Sequence, residues 1–316
     1  MEIELSKTDI IPPYNFDFAL THYNIYPWVS EEGKLIRVLQ LRNGKICVAE
    51  IKSLGTLNNP KLVIRTKPSR NIQAEEVEEI KEIISWCLGL KEDYRPFYEM
   101  CEKDRVLKTA MESRYGSKGK SYPTVFEAII GVICAQNIQF KRLYSMMYNL
   151  CTKLGERIKI AGKDYFSFPS PKNISRSPLS IIRECKVGYR DKFIKKIAEI
   201  IVKDNINLEK LKKLSTEDAR KELLKFPGIG PYTANLVLAV GLRRKDVLHL
   251  DRFVREVMYT FYFDGEKVPD ELLIKYANKH WCGFQSLAVD ALTTNTEIWA
   301  KKLGIDFKIK SGARGE

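Results

Sequence analysis

The run Phe226-Pro227-Gly228-Ile229-Gly230-Pro231 constrains this chain more than any other segment. A helical stretch, ARKELLK, precedes it, and another, YTANLVLAVGL, follows it. Two helices must therefore meet across a very short turn. Pro231 suits the first turn of the second helix, where its missing N–H has no intrahelical partner. Gly228 and Gly230 allow positive φ and close approach of another backbone. The free amides of Gly230 and its successors then point outward at the positive end of a helix. Such an end binds phosphate. The turn alone is equally compatible with a glycine-rich connection between two core helices.

Composition permits a nucleic-acid partner. Lys+Arg number 53 against 40 Asp+Glu in 316 residues, a formal net charge of +13. A basic excess attracts polyanions without identifying one. The length suggests two or three domains. No apolar run reaches the ~20 residues of a membrane span. The opening MEIELSKTDIIPPYNF lacks the basic and apolar regions of a secretion signal. Seven widely spaced cysteines without a C-x-x-C argue against a disulfide framework or zinc ribbon. An intracellular location is expected. The three histidines have no metal-ligand spacing.

Residues 1–73 read as β-rich. Leu35–Leu41 and Ile46–Ile51 alternate in polarity around Asn43-Gly44, a strong hairpin signal. Lys61–Arg65 fits a further strand. From Ala74, apolar residues at 77, 80, 83, 84 and 87 predict a helix linking this region to the next. Residues 75–104 hold ten acids and four bases, so they would not face phosphates. Residues 105–300 read as all-helical, with Thr124 capping a buried helix. Residues 141–203 carry fifteen Lys/Arg and five Asp/Glu. The expected division is 1–95, a β-rich domain with its linker helix; 96–307, a helical domain; and 308–316, a frayed tail.

The segment KFPGIGPYTANLVLAVGLRRKDVLHLDRFV has a helix-hairpin-helix followed, about twenty residues on, by an acid at a helix start. It resembles the helix-hairpin-helix (HhH-GPD) DNA glycosylase superfamily. Within it, the segment is most similar to the alkylpurine (3-methyladenine type II) branch. The resemblance spans roughly Tyr122 to Trp299. It implies an α+β fold: a small antiparallel β-sheet N-terminal domain plus an all-α, two-part helix-hairpin-helix glycosylase domain, with the DNA cleft between the helical halves.

The resemblance also assigns roles. Asp251 is the catalytic carboxylate, beside the deoxyribose whose oxocarbenium-like charge it stabilises; alone, it would be read as a helix N-cap. Tyr232 stands where bifunctional members place a lysine nucleophile, which implies a monofunctional enzyme. Tyr232 is either a packing aromatic or a wall of the base pocket. Phe284 matches a base-stacking aromatic; Trp281 is a second pocket candidate, though helix packing accounts for it better. Gln136 and Asn137 interrupt an apolar helical face where the family has its wedge. Arg142 and Arg190 match arginines that read the opposite base in the 8-oxoguanine branch, or else they contact phosphate or solvent. Gly228, Ile229, Gly230, Tyr232 and Thr233 form the phosphate-binding hairpin. Backbone carbonyls of Leu224, Phe226 and Ile229 are the family's monovalent-cation (Na/K) ligands. Only Cys282 follows the hairpin, so the family's iron–sulfur cluster is not expected.

The resulting expectation is a monomeric DNA glycosylase of base excision repair. It would flip damaged, alkylated purines out of double-stranded DNA and hydrolyse their N-glycosidic bonds, with no required cofactor and no membrane. A bifunctional 8-oxoguanine glycosylase/lyase and a non-catalytic DNA-binding module are the alternatives.

Overall fold

The Asn43-Gly44 turn closes a hairpin in the computed structural model, which describes residues 1–68 and 72–307. Gly44 takes φ +84°, a left-handed value that favours glycine. Five strands, β1 (Glu2–Leu5), β2 (Val29–Glu31), β3 (Lys34–Gln40), β4 (Ile46–Ser53) and β5 (Leu62–Lys67), form one antiparallel sheet in the order β1-β5-β4-β3-β2. The hairpin register pairs Leu35 with Ile51 and Gln40 with Ile46. The frayed tail expected at 308–316 lies outside the described residues.

Strand alternation gives the sheet two apolar faces. Leu35, Leu39, Ile51, Leu62 and Ile64 face a core shared with helices α1 (Phe16–Thr21) and α2 (Ala74–Leu88). Helix α2 buries Ile80, Ile84, Cys87 and Leu88 there. It is therefore a packed layer of the sheet domain as well as a connection. Ile36, Val38 and Val48 face the other way, against Ile158, Ile160 and Tyr165. Those three belong to a ribbon, β6 (Arg157–Ile160) and β7 (Lys163–Phe166), inserted between helices. The all-helical expectation for 105–300 fails at this ribbon. Four-residue strands carry too few alternations to stand out, and their stability comes from covering the sheet.

The helices build two further cores. One contains α5 (Val125–Ala135), α6 (Phe140–Leu154), α7 (Pro171–Arg176), α8 (Leu179–Glu184), α9 (Asp191–Lys203), α10 (Thr216–Leu224) and α11 (Pro231–Gly241). Thr124 caps α5 through the Glu127 amide at 3.2 Å. Every α5 residue from Val125 to Cys134 is buried, as an apolar helix at a bundle centre must be. Each fully buried Ile there contributes about 1.5–3 kcal/mol. The other core joins α3 (Arg95–Cys101) and α4 (Arg105–Met111) to α12 (Arg252–Tyr262), α13 (Asp270–His280), α14 (Gln285–Thr293) and α15 (Thr296–Lys302). The second half is thus assembled from stretches on either side of the first. Residues from both halves and from the sheet domain line one cavity.

Candidate active site

The hairpin joins α10 to α11. Phe226 N–H donates to Leu223 O at 3.1 Å, and Ile229 N–H donates to Phe226 O at 3.3 Å. Ile229 is buried and anchors the turn, while Leu224 is 40% exposed at the end of α10. Gly228 has φ +80°, and a Cβ there would lie 2.8 Å from the Phe193 ring. Only glycine fits both demands. Gly230 departs from expectation. Its φ is −92°, an extended N-cap open to any residue. Space alone distinguishes it, since a Cβ there would meet nothing within 4 Å. The α11 N-terminus is therefore open where an anion would approach. Thr233 is buried, and its hydroxyl accepts a hydrogen bond from Gln136 Nε2 at 3.0 Å. That hydroxyl belongs to the internal network, so the expected phosphate contact of Thr233 rests on its backbone amide alone.

The same network builds the candidate wedge. Helix α5 ends at Ala135, and Gln136 is its C-cap. Besides Thr233, Gln136 Nε2 donates to Gly228 O at 3.0 Å. Asn137 follows, exposed, at φ +49°; asparagine tolerates this left-handed value better than most residues. Arg142 is exposed on α6. Arg190 is 4% exposed. Its guanidinium donates to the carbonyls of Ile133 (3.0 Å), Val187 (3.2 Å) and Gln136. Expected as a reader of the opposite base, Arg190 instead spends its donors on the end of α5. An arginine fork that finds three carbonyls in a buried pocket offers little to a base edge. Beside it, Tyr189 is 58% exposed, its ring 4.5 Å from the Arg190 guanidinium carbon.

Asp251 caps α12. Its Oδ1 accepts from the Val254 amide at 2.7 Å. The loop leading to it is fastened from both α11 and α14. Asn235 on α11 donates to Leu248 O at 2.9 Å, and the Ser286 amide on α14 donates to Lys245 O at 3.0 Å. Asp251 is thereby held on the wall of a cavity of about 250 Å³, with Tyr232 in the same wall lining. The volume accommodates a purine-sized ring system. Tyr232 is 37% exposed, so it presents a ring surface rather than a core contact.

The cavity also collects buried charges. Arg243 donates to Glu92 Oε2 at 2.6 Å, and Arg114 to Asp290 Oδ2 at 2.5 Å. Burial alone would raise the Glu92 carboxyl. Arg243, with Lys245 and the Tyr94 hydroxyl, holds it below its ordinary range. Lys118 donates to the carbonyls of Ile11 and Glu92, and Lys120 to those of Ala19 and His22. Burial lowers Lys118 to about 8 and Lys120 to about 7. Lys245 lies over the Tyr94 ring, 4.6 Å from its centroid, and burial lowers its ammonium as well.

Two expected pocket aromatics lie elsewhere. Trp281 has 0% exposure among Tyr262 and Tyr276 in the second helical core. Phe284 is the N-cap of α14 and packs on Phe97 at 5.8 Å between centroids. Neither lines the cavity. Its aromatic lining comes instead from Tyr23, Trp28, Tyr94, Phe97, Tyr122, Phe140 and Tyr232. Most of these precede the hairpin by a hundred residues or more, so no local pattern ties them to it. Among the described residues no His/Cys/Asp/Glu group could hold a metal. No described helix is long and apolar enough to cross a membrane.

The profile of the HhH-GPD superfamily of base excision DNA repair proteins matches residues 130–282. A DNA-3-methyladenine glycosylase of Bacillus subtilis is 32% identical over 75% of this chain and 80% of its own. A probable N-glycosylase/DNA lyase of Methanothermobacter thermautotrophicus is 24% identical over 86% of this chain and 90% of its own. The structure of a 3-methyladenine DNA glycosylase from Archaeoglobus fulgidus superposes with a TM-score of 0.77 at 25% identity, covering 92% of this chain and 97% of that one.

Proposed function

This chain belongs to the HhH-GPD superfamily of DNA glycosylases, and from that premise we propose that it is a monofunctional enzyme releasing alkylated purines from double-stranded DNA. One observation carries the reading. Asp251 and Tyr232 line the same cavity, so a carboxylate is present and the hairpin-helix position holds no amine.

The chemistry follows from these two residues. As the N-glycosidic bond stretches, positive charge grows on the deoxyribose. The Asp251 carboxylate, oriented by the Val254 amide at 2.7 Å, stabilises that charge and positions water to trap it. An alkylated purine is a good leaving group and needs little protonation. The named relatives from Bacillus subtilis and Archaeoglobus fulgidus act, by their names, on 3-methyladenine. The protein acts as a monomer, gripping the backbone with the open α11 N-terminus beside Gly230 and filling the vacated stack with Asn137. The carbonyls of Leu224, Phe226 and Ile229 are hard oxygen donors around the turn between α10 and α11, with Leu224 in the last turn of α10 and Phe226 also accepting the Ile229 amide. They would suit a sodium or potassium ion, which would draw a phosphate toward the turn. No other cofactor is needed for hydrolysis.

Lys245 favours a second reading. Its amine lies in the same cavity as Asp251 with a lowered pKa, as a Schiff-base nucleophile would need. One experiment separates the readings. Duplexes carrying 7-methylguanine, hypoxanthine or 8-oxoguanine are incubated with wild type, Asp251→Asn and Lys245→Met. Strand breaks that need alkali and vanish in Asp251→Asn support the monofunctional hydrolase. Breaks without alkali, trapped by borohydride and lost in Lys245→Met, establish the lyase. Salt-sensitive binding without base release reduces the protein to a DNA-binding module.

A further inference from the structure

We infer that Tyr23, supplied by the sheet domain, is a base-contacting residue whose ring forms a stacking wall for the extruded base. The inference rests on the glycosylase reading and extends it to a residue remote from the hairpin.

Three observations meet at Tyr23. First, its backbone has φ +49°, a left-handed value rarely taken by a bulky residue. Such a conformation persists only where the surroundings over-determine it. Here they do. Lys120 binds the carbonyls of Ala19 and His22 just before it, Asn24 Nδ2 donates to Leu20 O at 2.5 Å, and the Ile25 amide donates to Tyr23 O at 3.0 Å. Second, the ring lies in the cavity that Asp251 and Tyr232 also line. It stands edge-on to Phe140, at 6.3 Å and 62°, and is half-buried. Third, its hydroxyl meets Thr294 Oγ1 at 3.4 Å, across 271 residues of sequence.

Tyr23 therefore touches α6 just after the wedge and the second helical half just after α14. A residue in ordinary core packing would not need a strained backbone held from both sides. A rigid ring lining a base-sized cavity can be used by any purine, because every base presents a π-face.

The test uses full-length protein and two duplexes identical except at one position. One carries 7-methylguanine; the other carries a tetrahydrofuran abasic analogue, which has no base to stack. Binding is measured in the Asp251→Asn background, and single-turnover base release with Asp251 intact. Tyr23→Ala and Tyr23→Gly are expected to weaken binding of the lesion duplex about tenfold. The abasic duplex should change less than twofold, and Tyr23→Phe should behave as wild type. Base release by the ringless variants should fall by a similar factor. Glycine accepts the left-handed backbone, so Tyr23→Gly controls for a disturbed loop. Equal losses on both duplexes, no loss on either, or a Tyr23→Phe defect matching that of Tyr23→Ala would each overturn the stacking role. If wild type releases no base from either 7-methylguanine or hypoxanthine duplexes, the alkylpurine glycosylase reading itself fails, a result separate from any effect of Tyr23.

Discussion

Gln136 Nε2 lies 3.0 Å from both the Gly228 carbonyl and Thr233 Oγ1, so the interrupted end of α5 is fastened to the turn between α10 and α11. A phosphate held at the hairpin and a wedge entering the stack would then keep a fixed spacing. Gln136→Leu leaves two acceptors without their donor, a cost of about 1–3 kcal/mol in thermal or denaturant unfolding. Base release should fall more for a lesion paired in a duplex than for one in a mismatch, because extrusion is harder there. Equal falls on both substrates would show that the link is structural only.

The two hairpin glycines should respond differently to alanine. Gly228→Ala must adopt φ +80° and place a methyl 2.8 Å from the Phe193 ring. Strain and overpacking together should destabilise the fold by about 2 kcal/mol or more. Gly230→Ala meets no atom within 4 Å at an ordinary φ. Its stability should stay within about 0.5 kcal/mol of wild type. DNA affinity should nevertheless drop, as the methyl occupies the approach to the α11 amides. A Gly230→Ala protein binding DNA as wild type would place the phosphate elsewhere.

Asp251 is both a cap and a candidate catalyst, and two substitutions divide the roles. Asp251→Asn retains an oxygen for the Val254 amide and should keep its stability within about 0.5 kcal/mol. Asp251→Ala loses the cap, at about 1 kcal/mol. Both should lose base release by roughly a hundredfold or more, measured under single turnover. Substantial release by Asp251→Ala would move the chemistry to another residue.

A buried ion pair joins the sheet to α5. Arg37 Nη2 lies 2.5 Å from Glu127 Oε2, each side chain 3% exposed or less. Glu127→Gln strands the guanidinium charge beneath Trp28 and should cost about 3–5 kcal/mol. Replacing both partners, Arg37→Met with Glu127→Leu, should recover most of that loss, because neither charge then needs a partner. Chemical denaturation of the three variants checks this. A double variant no better than Glu127→Gln would assign the pair a role beyond mutual neutralisation.

How much of this was legible depends on whether the determining contacts are local. The Asn43-Gly44 hairpin, the Thr124 cap, the hairpin turn and Asp251 at a helix start are written in neighbouring residues. Each rests on φ preference, capping or periodicity, which short segments determine. The resemblance alone points Arg190 toward the opposite base, because no neighbouring residue announces its buried partners. Its three carbonyl partners lie up to 57 residues away. Trp281 and Phe284 sit at helix ends whose facing core is assembled from both sides of the other helical half. Tyr23 finds Thr294 across almost the whole chain. Only the packed tertiary structure brings such partners together.

Lys120 links the Tyr23 loop to a pH response. Burial lowers its ammonium to about 7 from an ordinary 10.5. In the unfolded chain it stays protonated up to the ordinary value. Between about pH 7 and 10.5 the unfolded state therefore binds more protons than the folded one, and stability rises with pH. The penalty is fully present below 7 and gone above 10.5. The neutral amine still offers hydrogens to the Ala19 and His22 carbonyls, so deprotonation keeps the loop tied. Denaturant unfolding at pH 7, 8 and 9 should show wild type gaining up to about 1.4 kcal/mol per pH unit relative to Lys120→Met. Lys118, lowered to about 8, adds its own slope equally to both proteins. Parallel pH dependences would mean that the two carbonyls keep Lys120 charged in the folded state, and the ordering of the Tyr23 loop would then be insensitive to pH in this range.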